Sequence, residues 1–233
     1  MNQYLPRIAD ALLQRKLSSS GAVLIKGPKW TGKSTTDEQL AKSVTFMQDP
    51  ETRNQNIALA KNSPSLFLQG ETPKLIDEWQ TIPFIWDAIR FEIDRRDAFG
   101  QFILTGSAVP ADNSSILHSG IGRITQLTMR PMSLFESLDS NGCVSLSDLF
   151  LQKDFLGGKN EKNLEEYAYL VCRGGWPKAA KMSRPGSLDL ALNYYEELVQ
   201  SDISRFDGIK RNPSKIQQLL RSLARNTATE ASL

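Results

Sequence analysis

The chain has 233 residues, 40% hydrophobic and 23% charged with a net charge of +2; this is ordinary globular composition, enough for a substantial core and without bias toward nucleic acid. Its cysteines, Cys143 and Cys172, are not a C-x-x-C pair, which suits a reducing cytoplasm, and the single histidine, His118, reads as a loop residue and leaves no zinc cluster. No apolar run approaches a membrane span and the opening stretch lacks a signal-peptide core, so a soluble cytoplasmic protein without a membrane partner is expected.

Leu5, Ile8, Leu12 and Leu13 recur at helical spacing and predict a short helix within residues 1–20. Five short apolar segments then read as strands: GAVLIKG, VTFMQ, PKLIDE, QFILTGS and RITQLTM. Helical stretches separate most of them, one from Lys33, one near 50–61, and one starting at Pro83 that buries Phe84, Ile85, Ala88 and Ile89. The alternation predicts an α/β fold over residues 21–136, with a five-stranded, mainly parallel sheet covered on both faces. Residues 137–211 read as a helical lid, whose clearest helix carries Leu188, Leu192, Tyr195, Val199 and Ile203 on one face. A last helix, capped by Asn212 and Pro213, carries Ile216, Leu219, Leu220 and Leu223.

GPKWTGKSTT, residues 27–36, follows the strand-like AVLI and fits G-x-x-x-x-G-K-[ST] at Gly27, Gly32, Lys33 and Ser34. The glycines let backbone N–H groups approach an anion, and the helix opening at Lys33 points its positive end at the same place. This predicts a phosphate cradle of Gly27, Pro28, Lys29, Trp30, Thr31, Gly32, Lys33, Ser34 and Thr35. Lys33 would reach the outer phosphates of ATP, and the Ser34 hydroxyl would help to hold Mg²⁺.

Asp77 and Glu78 end the strand PKLIDE at its carboxyl tip, the edge where sheets of this type bind ligands. Asp77 is expected to hold Mg²⁺ and Glu78 to polarise a water for in-line attack. A solvated acidic pair is the plain alternative, and Pro73 and Lys74 shorten the usual apolar run. At the tip of QFILTGS, Thr105 and Ser107 are available. Thr105 would position the attacking water if its strand lies between the other two; otherwise TGS is turn chemistry. Arg173 is within range of a nucleotide from the lid, but Gly174, Gly175 and Pro177 read as a turn with Trp176 packed beneath it. Arg205, Lys210, Arg211, Lys215, Arg221 and Arg225, diluted by Asp202 and Asp207, read as a solvated helix face rather than a DNA path.

GPKWTGKSTT, LIDEWQTIP, FILTGSA, GRITQLTMRPMSLFE and RGGWPKAA stand in the order of a prokaryotic family of AAA-superfamily ATPases. The chain resembles that family over essentially its whole length. Its members join an AAA-type P-loop NTPase domain to a C-terminal domain with winged-helix-like and nuclease-like parts; this chain resembles the N-terminal portion, which implies that residues 212–233 are the start of a truncated C-terminal region. The resemblance implies the sheet order 5-1-4-3-2 and hydrolysis of Mg²⁺·ATP to ADP and phosphate, coupled to an unidentified partner. It also implies a homo-oligomer in which Arg123 completes a neighbour's site, and a DNA or protein partner through the C-terminal domain. On the residues alone, Arg123 is a surface side chain or an ion-pair partner. A nucleotide-gated switch with negligible turnover and a small-molecule phosphoryl transferase are the other readings.

Overall fold

Residues 4–106, 120–154, 157–202, 211–227 and 229 are described in a computed structural model. Ser107, His118, Ile203, Arg205, Asp207 and Lys210 lie outside the described residues. In chain order, α1 (Ile8–Leu17) precedes β1 (Ala22–Lys26), α2 (Lys33–Glu38), β2 (Ser43–Phe46), α3 (Arg53–Asn62), α4 (Pro64–Phe67) and β3 (Lys74–Asp77). A 3₁₀ turn (Trp79–Thr81), α5 (Ile85–Arg96), β4 (Phe102–Gly106) and β5 (Ile124–Thr128) complete the sheet-forming part.

The five strands are all parallel in the order β2-β3-β4-β1-β5, which is 5-1-4-3-2 read from the other edge. β1 lies between β4 and β5, with Ala22 in register with both Phe102 and Ile124. Its unbroken apolar run follows from this place, because a parallel strand is covered on both faces. Successive side chains alternate between two cores. Leu24, Ile76 and Leu104 pack with Ile85 and Ile89 on one face. Val23, Ile25 and Leu75 pack with Leu13 and Leu17 on the other.

Two helices differ from expectation at their starts. The buried stripe of α1 is Ala9, Leu13 and Leu17, one residue every turn, while Leu5 lies ahead of the helix and Ile8 is exposed. Likewise α5 begins at Ile85 rather than Pro83, and Phe84 is 37% exposed. Pro83 and Phe84 finish the turn after the 3₁₀ segment, with Ile85 N donating to Ile82 O. Phe84 therefore falls outside the row Ile85, Ile89 and Ile93 that faces the sheet.

Beyond β5 the chain crosses the molecule as residues 129–139, then forms α6 (Leu146–Phe150), α7 (Leu164–Arg173), α8 (Pro177–Ala180) and α9 (Arg184–Glu197). A π-helical turn (Leu198–Asp202) follows directly, and α10 (Pro213–Asn226) closes the described chain. The expected face of α9 is packed only in part: Leu188 and Tyr195 are half-buried, Leu192 is 60% exposed, and Ser187 and Leu190 are the buried residues of the helix. Val199 is nonetheless buried. The π turn adds residues per turn and rotates the phase, so one helical period cannot describe both stretches. On α10 the Asn212 side chain accepts from Ser214 N at 2.9 Å, as its cap position predicts. Ile216 is buried while Leu219 and Leu223 are exposed. Among the described residues, no helix is long and apolar enough to cross a membrane.

Candidate functional site

β1 delivers the glycine loop at the carboxyl edge of the sheet's centre. A Cβ on Gly27 would lie 2.2 Å from Met129 O, so only glycine fits beneath the chain leaving β5. That approach is held by Met129 N donating to Lys26 O at 2.7 Å. Gly32 takes a left-handed conformation (φ 87°, ψ 25°) as the N-cap of α2. Trp30 is also left-handed at φ 65°, an uncommon state for a bulky residue. Within the loop, Thr31 Oγ1 donates to Pro28 O at 2.9 Å. Lys33 is buried and folds back over the loop, its Nζ donating to Gly27 O and Pro28 O, each at 2.9 Å. Burial lowers its pKa, and the charges of Glu78 and Asp77 act against that shift.

The sheet order places β4 between β1 and β3, so the tip of β4 meets both the loop and the acidic strand end. Asp77 Oδ1 accepts from Ser34 Oγ at 3.0 Å and from the Thr105 hydroxyl. Thr105 is fully buried and also accepts from Glu78 N at 3.3 Å. Its position is thus the one named for it in the sequence, but its proton is given to Asp77. Glu78 stands in the left-handed region at φ 57°, and its carboxylate accepts from the Gln80 amide. The short apolar run before these acids also has an explanation. Lys74 is buried with its ammonium bonded to Phe67 O and Gln69 O at the end of α4, so it completes the interior instead of breaking it.

Two hard oxygen donors, from Ser34 and Asp77, thus stand side by side beside a glycine cradle. This donor set fits Mg²⁺, which takes one or two protein oxygens and completes its shell with water and phosphate. Among the described residues, no group of three or more His, Cys, Asp or Glu that could hold a metal ion occurs.

Residues 19–138, just over half of the chain, match a family described as an AAA domain. The chain belongs to this AAA-domain family. Residues 164–233 match a domain of unknown function, DUF8612. The uncharacterized proteins Mb2031c of Mycobacterium bovis and Rv2008c of Mycobacterium tuberculosis are each 34% identical over 108 residues, 45% of this chain and 24% of theirs. The chain matches these relatives over about a quarter of their length. Among solved structures, the Walker-type ATPase PABY2304 of Pyrococcus abyssi is similar at 14% identity and a TM-score of 0.43, over 95% of this chain and 77% of that one.

Two features at this loop were not foreseen in the sequence. Asp37 is fully buried on α2, and neither carboxylate oxygen has a hydrogen-bond partner. Burial raises its pKa well above the usual carboxylate value, and the negative charge of Asp77 adds to this while Lys33 opposes it. Its spacing from Lys33, one helical turn, was the available signal. The second feature is a cavity of about 590 Å³ flanking the loop, lined by Tyr4, Leu5 and Arg7 of the leading segment, Trp30 and Gly32 of the loop, and Pro177 at the start of α8. Trp30 and Trp176 both pack on Tyr194 of α9, with ring centroids 5.3 and 4.6 Å away.

Neither arginine singled out in the sequence faces this loop. Arg173 is buried and pairs with Asp139 at 2.9 Å. Arg123 precedes β5 at the opposite edge of the sheet from the loop, since Lys26 is level with Thr128 and Ala22 with Ile124. Five residues of strand, roughly 16 Å, separate it from the loop end. Its Nε donates to both carboxylate oxygens of Asp94, at 2.7 and 2.9 Å, which lowers the Asp94 pKa. The ion-pair alternative therefore describes Arg123 within one chain.

Proposed function

We propose that this AAA domain binds ATP with Mg²⁺ and hydrolyses it to ADP and phosphate. The observation that carries the reading is the convergence of Ser34, Asp77 and Thr105 in one hydrogen-bonded group beside the glycine loop, with Glu78 next to them. In this reading Gly27, Pro28, Lys29, Trp30, Thr31, Gly32, Lys33, Ser34 and Thr35 wrap the phosphates. Lys33 exchanges its two loop carbonyls for the outer phosphate oxygens. Ser34 and Asp77 hold the metal, which when bound neutralises charge on the phosphates. Glu78 takes the proton of the attacking water, and Thr105 keeps Asp77 and the Glu78 backbone in register. The cavity beside Gly32 is of a size suited to the nucleoside.

The wider organisation belongs to the same proposal: a leading helix (1–20), an ATPase core (21–136), a lid (137–211) and the start of a further region (212–233), in a cytoplasmic prokaryotic protein. Arg123 would act on a neighbour in a homo-oligomer, and a DNA or protein partner would be engaged through a C-terminal domain with winged-helix-like and nuclease-like parts. A nucleotide-gated switch is favoured by one observation: the Glu78 carboxylate and the Thr105 hydroxyl are both engaged by protein groups. The phosphoryl-transferase reading needs a lid arginine over the phosphates, and Arg173 is spent on Asp139. Phosphate release with and without Glu78→Gln separates hydrolysis from the switch. The amide keeps the shape but cannot take a proton, so ATP binding should persist while turnover falls by 10²-fold or more, on the order of a lost general base. Equal turnover in the two proteins would remove Glu78 from catalysis, and no turnover in either would leave the switch.

A further inference from the structure

Arg7 lines the cavity beside Gly32 but has no role of its own in the ATPase reading, and its side chain is only 4% exposed. Its guanidinium bonds three acceptors: Nε donates to Glu136 Oε1 at 3.0 Å, Nη1 to Thr31 O at 2.7 Å and Nη2 to Arg130 O at 2.8 Å. One acceptor belongs to the glycine loop and two to the crossing segment after β5. Glu136 is in turn saturated, accepting from Ile8 N at 2.8 Å and from Ser133 N and Oγ at 2.7 and 3.0 Å. The same crossing reaches the helices beyond it, with Met132 N donating to Gly175 O at 2.6 Å and Asp139 pairing with Arg173.

A buried ion pair is weak evidence for stability, because apolar residues of the same volume often stabilise as well or better. What three directional bonds supply is orientation. In a planar trans peptide the carbonyl oxygen and the following N–H point in opposite directions. Holding Thr31 O against Arg7 therefore turns the Gly32 N–H away from Arg7. We propose that Arg7 is a positioning residue of the phosphate loop, which aims the Gly32 N–H at bound phosphate and ties that orientation to the crossing segment through Arg130 and Glu136. Lysine cannot replace it, since a single ammonium lacks the fork that spans three fixed acceptors.

The inference rests on the ATP-binding reading, and calorimetric titration of the wild-type chain with ATP and ADP tests that reading first. Absence of binding there overturns both. Given wild-type binding, Arg7→Lys should weaken ATP and ADP alike by roughly tenfold, the scale of one well-made hydrogen bond. ATP and ADP share the phosphates that loop amides cradle. Where turnover is measurable, KM should rise with kcat within about twofold, because the loop grips ground and transition states equally. Glu136→Gln leaves the bond to Thr31 in place and should weaken binding by a smaller factor, roughly twofold to fivefold. A folded Arg7→Lys protein with wild-type affinity overturns the proposal even if its melting temperature falls, since Arg7 is then only structural. If Arg7→Lys does not fold, Glu136→Gln decides in the same way: weakened binding supports the proposal and unchanged affinity overturns it.

Discussion

Lys33 and Asp37 lie one turn apart on α2, and burial pushes both toward their neutral forms, lowering one pKa and raising the other. For Lys33 the charges of Glu78 and Asp77 act against the shift, and its ammonium bonds two loop carbonyls. Asp37 has no such hydrogen bonds, and the adjacent Asp77 makes its charge still less favourable. The consequence for stability has a definite sign. The native chain holds this proton more tightly than the unfolded chain, so stability falls as pH rises from the ordinary value of 3.8 toward the raised native value. The slope is at most about 1.4 kcal/mol per pH unit for one proton. Asp37→Asn removes that slope. Denaturant unfolding from pH 4 to pH 8 should show the variant gaining on wild type as pH rises, with little difference near pH 4. Parallel curves would show that Asp37 is charged at no cost in the native protein.

At the scale of elements, legibility followed burial geometry. The inner strands β1, β3 and β4 stood out because a parallel strand covered on both faces is buried along its length, whereas the edge strands β2 and β5, partly exposed, stood out only as short β-branched segments. The loop stood out because Gly27 and Gly32 occupy places where a side chain would clash or a left-handed turn is required. The order of the strands came from the family resemblance, since no local pattern encodes which edge a strand joins. Helix phases were less legible. Phe84 precedes the periodic part of α5, and the π turn after α9 breaks the single period that seemed to align Leu192 with Val199. Asp37 was missed because a polar residue in a helix normally faces water. The link between Arg7 and Glu136 was out of reach for another reason: its partners stand 129 positions apart, and the crossing of residues 129–139 against the loop brings them together.

At the scale of the whole molecule, the placement of Arg123 has a consequence for assembly. It stands at the sheet edge opposite the loop, so a catalytic role for it requires a second copy of the chain. Such an arginine contributes on the order of 10³–10⁵ in rate where it acts in trans. Specific activity should then rise with protein concentration, and Arg123→Ala should lower turnover while sparing ATP affinity. Mixing inactive Arg123→Ala with inactive Glu78→Gln should restore part of the activity, because a mixed interface can unite an intact Glu78 site with an intact Arg123. Exchange of subunits without recovery would confine Arg123 to its pairing with Asp94. The matched relatives are about four times as long as the part they share with this chain, so work done with the ATP is proposed to involve regions beyond the AAA domain.

The central claim is that residues 27–35 grip the phosphates of ATP, with Lys33 as the cation that reaches the outer ones. Calorimetric titration of wild type and Lys33→Ala with Mg²⁺·ATP tests it most directly, with circular dichroism of each protein to establish that both are folded. The ammonium lost makes charge-assisted bonds worth roughly 1.5–3 kcal/mol each, so affinity should fall by about tenfold to more than a hundredfold. A folded Lys33→Ala protein that binds Mg²⁺·ATP as tightly as wild type would contradict the account.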